Sequence, residues 1–170
     1  MLIRPAHTSD THAMARIYVQ TWRDTYLGVV PFDYLYTMSV LQHEHAFLDE
    51  LKSGKVISYV AEDVGKLIGF ITGGYERRGD HIYCGEIYTL YVLKNNQRQG
   101  IGAKLVSALK AQLYRIGLYS MLVWVLEHNP YRRFYEKING IYLHTQRMQF
   151  AEEMLEVAAY GWLDTSLIDL

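Results

Sequence analysis

The stretch from Ile82 to Ala103, IYCGEIYTLYVLKNNQRQGIGA, constrains the fold more than any other. It reads as a long apolar strand, a polar turn and a helix start that carries glycine, with Gln97, Gly100 and Gly102 spaced as Q-x-x-G-x-G just before Lys104. The first N–H groups of a helix lack intrahelical partners and sit at the positive end of its dipole, so a glycine-rich start fed by a strand can hold phosphate. Standing alone, the same pattern also fits an ordinary helix start that uses glycine to turn. Along the strand, Cys84, Tyr88 and Leu90, with Glu86 between, fall on or near one side, and Ile87, Tyr91 and Leu93 on the other. Both faces are covered, which is the pattern of a central strand.

The chain before this stretch supplies helices and a hairpin. Leu2 to Arg4 is a short strand closed by Pro5, which cannot donate to a ladder. Thr8, Ser9 and Asp10 offer capping oxygens, and Met14, Ile17, Tyr18, Thr21, Trp22 and Thr25 draw one stripe along a first helix that ends near Gly28. Pro31 opens a second helical stretch to about Thr37, and Ser39 caps a third that carries Leu41, Phe47, Leu48 and Leu51 to Gly54. Val56 to Glu62 and Leu67 to Tyr75 are strands joined by a hairpin turn at Asp63-Val64-Gly65-Lys66. Gly69, Gly73 and Gly74 interrupt the second of these, which marks a bend or the close approach of another group.

After the glycine turn, Ile101, Leu105, Leu109, Leu113 and Ile116 keep helical spacing and Gly117 is a natural stop. The run Ser120 to Leu126 is an almost uninterrupted apolar strand. Strand, helix and buried strand make a crossover, so these two strands are expected to be parallel. A helix beginning at Asn129-Pro130 holds Phe134, Tyr135 and Ile138 and stops at Asn139-Gly140; Ile141 to Phe150 and Met154 to Trp162 form an antiparallel hairpin. The 170 residues, half of them hydrophobic, suit one domain spanning the whole chain.

Charge and composition narrow the partners. A net charge of −1 with no basic stripe argues against nucleic acid and anionic membrane, and no stretch of about 18 apolar residues is present to span a bilayer. Cys84 is the single cysteine, so no intrachain disulfide forms and a cytoplasmic setting fits. His43 and His45 stand two apart on a helix and face different ways, so no metal site is expected there.

Glu86 on the central strand, the glycine turn, Asn129 past the next strand and Tyr135 on the helix after it now lie in one crossover. With them the chain resembles the GNAT acyltransferase superfamily over almost its whole length: helices first, a hairpin, the long strand, Q-x-x-G-x-G, a buried strand, N-x5-Y and a terminal hairpin. The front end, Trp22 to Tyr26 with Gly28 and Pro31, and Ala159 to Trp162 are similar to a common bacterial subgroup of predicted acetyltransferases. The resemblance implies a single α/β (α+β) domain with a mixed, mostly antiparallel sheet flanked by helices, its parallel pair splayed around coenzyme A. It also implies transfer of an acetyl group from acetyl-CoA to a primary amine of a small molecule or peptide, without a metal. The competing class is a non-catalytic acyl-CoA-binding sensor or interaction module.

Site roles follow from the same resemblance. Backbone N–H groups of Arg98, Gln99, Gly100, Ile101, Gly102 and Ala103, in the motif opened by Gln97, would hold the pyrophosphate. Backbone groups of Leu90 and Val92 would bond the pantetheine arm, with the Leu90 N–H polarising the acyl carbonyl. Glu86, fourteen residues before Gly100, would be the general base. A carboxylate in an apolar strand costs free energy unless paired or hydrated, so the plain alternative is a glutamate at the wet strand end or one bonded to Tyr or Arg. Tyr135 would donate to the departing thiolate and Asn129 would bond pantetheine; the plain alternative for Tyr135 is an aromatic on a helix face. Tyr131 stands where relatives carry a small residue, and Asn139 replaces a usual glycine. His128 reads as a surface residue and Cys84 as core. Trp22, Tyr26, Tyr75, Tyr88 and Tyr160 are candidates to line the acceptor pocket or to be core, and the terminal strands are the surface through which a homodimer would form.

Overall fold

A computed structural model describes residues 1–150 and 153–168. The strands are β1 (Leu2–Pro5), β2 (Ile57–Asp63), β3 (Lys66–Tyr75), β4 (Gly85–Val92), β5 (Met121–Leu126), β6 (Ile141–Phe150) and β7 (Glu153–Trp162). The helices are α1 (Thr11–Tyr26), α2 (Phe32–Thr37), α3 (Val40–Ser53), α4 (Ile101–Arg115) and α5 (Arg133–Lys137). Hydrogen bonding orders the strands β1-β2-β3-β4-β5-β7-β6. β4 and β5 run parallel, as the crossover requires, while β1/β2, β2/β3, β5/β7 and β6/β7 are antiparallel. The fold is therefore the mixed, mostly antiparallel α/β arrangement expected, and among the described residues no helix is long and apolar enough to cross a membrane.

The chain falls into two compact units, residues 1–73 with 89–112 and residues 74–88 with 113–170. In the first, the stripe read from the sequence is the buried face of α1: Met14, Ala15 and Ile17 pack with Phe47 of α3, Val60 of β2 and Phe70 of β3. Burying a side chain such as Phe70 completely contributes about 1.5–3 kcal/mol. Ser39 Oγ accepts from Gln42 N at 3.3 Å to start α3, and Gly54, left-handed at φ 65°, ends it. Leu41 departs from its expected apolar role and is 60% exposed, because the face that α3 turns inward is the one carrying Phe47. Arg4 ties β1 to the turn before α1, with Nη1 to Asp10 Oδ2 at 2.7 Å and Nε to Glu62 Oε2 at 2.8 Å. That guanidinium holds the Asp10 carboxyl below the usual range against the opposing effect of its burial.

The 63–66 turn forms as expected, with Val64 at φ 47° and Gly65 at φ 73°, the two left-handed central residues of a tight hairpin. The interruption at Gly69 has its cause in the same unit: a Cβ there would stand 2.8 Å from the Tyr91 carbonyl oxygen, so the bare residue lets β4 approach. α4 buries Ile101, Leu105, Leu109 and Leu113, whereas Ile116 is 42% exposed because the helix has already ended. Its end in the second unit is a Schellman closure, Leu118 N to Leu113 O at 3.0 Å.

In the second unit, β5 is buried between β4 and β7, and α5 spans only Arg133–Lys137, shorter than the 129–138 helix expected. The reason is local: Asn129 Oδ1 accepts from Tyr131 N at 2.8 Å, which folds residues 129–132 into a turn. β4 also begins later than expected. Asp80 Oδ1 accepts from Ile82 N at 2.7 Å and Tyr83 N at 2.9 Å, holding the chain in a loop until Gly85.

Candidate functional site

The glycine turn lies wholly in the first unit. β4 leads into a 3-10 turn at Lys94–Asn96, Gln97 is extended, Arg98 is left-handed at φ 61° and Gly100 at φ 76°. Successive reversals of this kind turn backbone N–H groups toward a common hollow. The first helical bond of α4 runs from Lys104 N to Gly100 O at 3.1 Å, so the N–H groups of Ile101, Gly102 and Ala103 have no carbonyl four residues back inside the helix. Nothing lies within 4 Å of where a Gly100 Cβ would be. A helix start whose first N–H groups lack intrahelical partners, with its dipole and open space beside Gly100, suits an anionic phosphate. Gln97 contributes differently: its Nε2 donates to Val92 O at 3.0 Å, which pins the end of β4 to the turn. Leu90 and Val92 are half-buried on β4.

The glutamate lies in the second unit. Glu86 is 2% exposed, and Arg77, at 54%, reaches it from the loop that follows β3. Arg77 Nη2 donates to Glu86 Oε1 at 2.6 Å; Arg77 Nε and its backbone N donate to Oε2 at 3.1 and 3.2 Å. The guanidinium carbon also lies 3.7 Å from the centre of the Tyr88 ring, and Tyr88 Oη donates to Tyr75 O at 2.6 Å. The cost of a buried carboxylate is thus met by an arginine, the pairing that sequence reasoning left as the plain alternative.

The register extends this face. Glu86 pairs with Leu122 and Leu122 with Gly161, so the next same-side residues of β5 and β7 are Trp124 and Ala159, themselves partners. Arg78 stands over the Trp124 ring at 5.3 Å and donates to Met148 Sδ at 2.8 Å, and His144 meets the ring edge-on at 5.4 Å. Trp124 Nε1 is buried and has no hydrogen-bond partner among the described residues. The parallel register runs from Gly85↔Met121 to Ile87↔Val123, while β4 itself continues to Val92.

Tyr135 is 9% exposed, with Tyr160 at 5.8 Å and Trp162 at 6.3 Å between ring centres. Asn139 takes the left-handed conformation at φ 61°, as its side chain tolerates. Tyr131 is 37% exposed; His128 is exposed, in line with the surface role read for it. Of the candidate acceptor-lining aromatics, Trp22, Tyr26 and Tyr160 are buried; Trp22 Nε1 donates to Tyr91 Oη at 2.8 Å, and Tyr160 Oη donates to Glu136 Oε1 at 3.0 Å. Tyr75 is 61% exposed and Tyr88 half-buried.

Cys84 corrects the sequence reading. It is exposed rather than core, because it precedes the strand and its thiol faces Ser120 Oγ at 3.2 Å. His43 packs on Tyr18 at 4.4 Å, and its half-burial pushes the imidazole below its usual pKa. Among the described residues no group of three or more His, Cys, Asp or Glu is placed to hold a metal ion.

Sequence reasoning missed Arg77. The signal was available: a carboxylate in an apolar strand demands a partner, and Arg77 and Arg78 are the basic residues in the loop that feeds that strand.

A mixed sheet with one parallel pair, joined through a glycine-bearing helix start, defines an α/β protein equipped to receive a phosphate-bearing ligand. The particular class is then given by likeness. The model of the acetyltransferase (GNAT) family matches residues 12–141, and the chain belongs to that family. It is 31% identical over 166 residues to the uncharacterized N-acetyltransferase YuaI of Bacillus subtilis, covering 98% of this chain and 95% of that one. Its fold is similar to that of the PaiA N-acetyltransferase of Thermoplasma acidophilum in complex with coenzyme A (TM-score 0.71, 17% identity, 92% of this chain and 96% of that one). It is likewise similar to the ribosomal-protein-alanine N-acetyltransferase of Brucella melitensis (TM-score 0.75, 20% identity, 95% and 99%).

Proposed function

We propose that this protein transfers an acetyl group from acetyl-CoA to a primary amine of a small molecule or peptide, by direct attack within a ternary complex. The observation that carries the reading is the Gln97–Ala103 turn, where left-handed Arg98 and Gly100 open the backbone at the start of a fifteen-residue helix. Bound acetyl-CoA supplies the activated thioester, and the chain's own groups do the rest. Backbone N–H groups from Arg98 to Ala103 hold the pyrophosphate, with Gly100 and Gly102 letting it reach the main chain. Gln97 fixes Val92 against this turn, so that the Leu90 and Val92 backbone can bond pantetheine as a strand would and the Leu90 N–H can meet the acyl oxygen.

Glu86 accepts the proton of the ammonium, directly or by way of water. Tyr135, a phenol that keeps its proton near neutral pH, donates to the thiolate as it leaves. Asn129, whose Oδ1 accepts from Tyr131 N, bonds the pantetheine arm.

A thiol-release assay with acetyl-CoA over polyamines, aminoglycosides, amino acids and peptide N-termini tests the reaction, with Tyr135→Phe alongside. The expected outcome is release with at least one amine and a fall in kcat of about a hundredfold for Tyr135→Phe. Coenzyme A binding without release for any amine would favour the acyl-CoA-binding module instead.

A further inference from the structure

The face that carries Glu86 is already occupied by a cation of the chain itself. Arg77 brings a guanidinium onto a carboxylate that is 2% exposed and onto the Tyr88 ring at 3.7 Å, yet remains 54% exposed. A carboxylate beneath and an aromatic ring beside make a cation-binding box, which recognises alkylammonium and guanidinium groups alike. The residue filling it sits on a loop, with Gly79 at φ 79° just beyond and Glu76 gripping Arg78 N at 2.7 Å and Asp80 N at 2.8 Å. That grip holds the loop backbone while leaving the Arg77 side chain to be exchanged at its solvent side. Beside the box, Trp124 Nε1 is a buried donor without a partner among the described residues, on the same face of the sheet. An orphan donor of this kind costs free energy that a ligand acceptor atom would recover.

We propose that Arg77 is an internal stand-in for the acceptor's cationic group, a latch that the incoming amine displaces from Glu86 and Tyr88. The reading rests on the acetyl transfer proposed above and narrows its acceptor to amines that are cationic before reaction and carry a polar acceptor atom within reach of Trp124 Nε1. Arg77 is on this account a specificity-determining residue. It excludes neutral compounds, which cannot replace a guanidinium on a buried carboxylate, and it keeps Glu86 satisfied when no acceptor is bound.

The test compares wild type with Arg77→Ala, Arg77→Lys and the double variant Arg77→Ala/Glu86→Gln. For a latch that leaves the box open about one-tenth of the time, Arg77→Ala lowers the KM for an aminoglycoside acceptor, which carries hydroxyl acceptors beside its ammonium groups, by about tenfold, while kcat and the KM for acetyl-CoA move less. In Arg77→Ala, added methylguanidinium competes with the amine and not with acetyl-CoA. A purely structural ion pair gives a lower melting temperature with an unchanged or raised amine KM, and that result overturns the latch.

Arg77→Lys keeps the charge but loses the fork and the ring contact, so its amine KM falls between the other two; it carries the test if Arg77→Ala does not fold. Should wild type acetylate no amine at all, the transfer reaction is lost and calorimetry decides the box alone. Methylguanidinium binding to Arg77→Ala but not to wild type or to the double variant supports it. Equal binding by Arg77→Ala and the double variant overturns it.

Discussion

The turn at Gly100 and the face around Glu86 are built by opposite means. The turn is built from main chain, with helix-start N–H groups that have no carbonyl four residues back in the helix and nothing within 4 Å of the Gly100 Cβ position. The Glu86 face is built from side chains already engaged: Arg77 on Glu86, Tyr88 on the Tyr75 carbonyl, Arg78 over the Trp124 ring, whose Nε1 alone is left without a partner among the described residues. A phosphate-bearing group shared by many reactions can be held by backbone that any sequence provides, given glycine at the right places. An acceptor that must be chosen needs side chains, and a buried carboxylate among them needs a counter-charge until the acceptor arrives.

Glycine substitutions set the turn apart most sharply, because Gly140, on the far side of the sheet from Glu86, is a glycine for a different reason. In the second unit Gly140 is bare for lack of room: a Cβ would lie 2.7 Å from Trp162 Cζ2 and 2.7 Å from the Tyr135 carbonyl oxygen. Neither can yield cheaply, since Trp162 is 3% exposed with its Nε1 donating to Ile138 O at 2.8 Å. Gly140→Ala is expected to cost about 3 kcal/mol by overpacking, and to lower kcat because the backbone of Tyr135 is what moves. Chemical denaturation and the thiol-release assay measure both.

At Gly100 the room is ample and only the left-handed backbone objects. Gly100→Ala should cost about 1–2 kcal/mol of stability. Its main effect is on the ligand, because a methyl group then stands where the phosphate approaches: a loss of about 1.4 kcal/mol in binding raises the acetyl-CoA KM tenfold. The amine KM should stay unchanged. A larger stability loss at Gly100 than at Gly140 would erase the distinction between an open turn and a close-packed one.

The same difference explains what the sequence disclosed. The Q-x-x-G-x-G spacing was legible because a backbone site leaves its trace as glycine at fixed offsets from a helix start, and Ser39, Gly54 and Gly117 announced helix ends for the same local reason. Ion pairs across a loop leave no such period. Arg77 and Glu86 are nine residues apart, joined through a segment without alternation or helical spacing. The misplacement of Cys84 has one source with this: an apolar run at Ile82-Tyr83-Cys84 looks like strand, and side chains, the Asp80 carboxylate taking two of its N–H groups and Ser120 the third, keep it in the loop. The shortened α5 repeats the lesson, since Asn129 spends its oxygen on Tyr131 N and turns the chain before the helix can start.

The smallest effect tests that loop directly. Burial pushes the Cys84 thiol up, but hydrogen bonds from the Ser120 side chain and backbone outweigh it, and its pKa lies below the ordinary thiol value. The Ser120 hydroxyl reaches both Ile82 O at 2.9 Å and Cys84 Sγ at 3.2 Å, and turning its proton to the sulfur stabilises the thiolate. A lowered pKa means more thiolate at neutral pH, so alkylation of native Cys84 should inflect at lower pH than that of an unstructured cysteine. Ser120→Ala removes the donor, moves the inflection upward and slows alkylation at pH 7 by a few-fold, on the order of half a pKa unit. Iodoacetamide labelling followed by mass spectrometry across pH reads this without any coenzyme. An inflection that stays in place would mean that the backbone alone sets the thiol, and that Ser120 serves the loop only through Ile82 and Cys84 N.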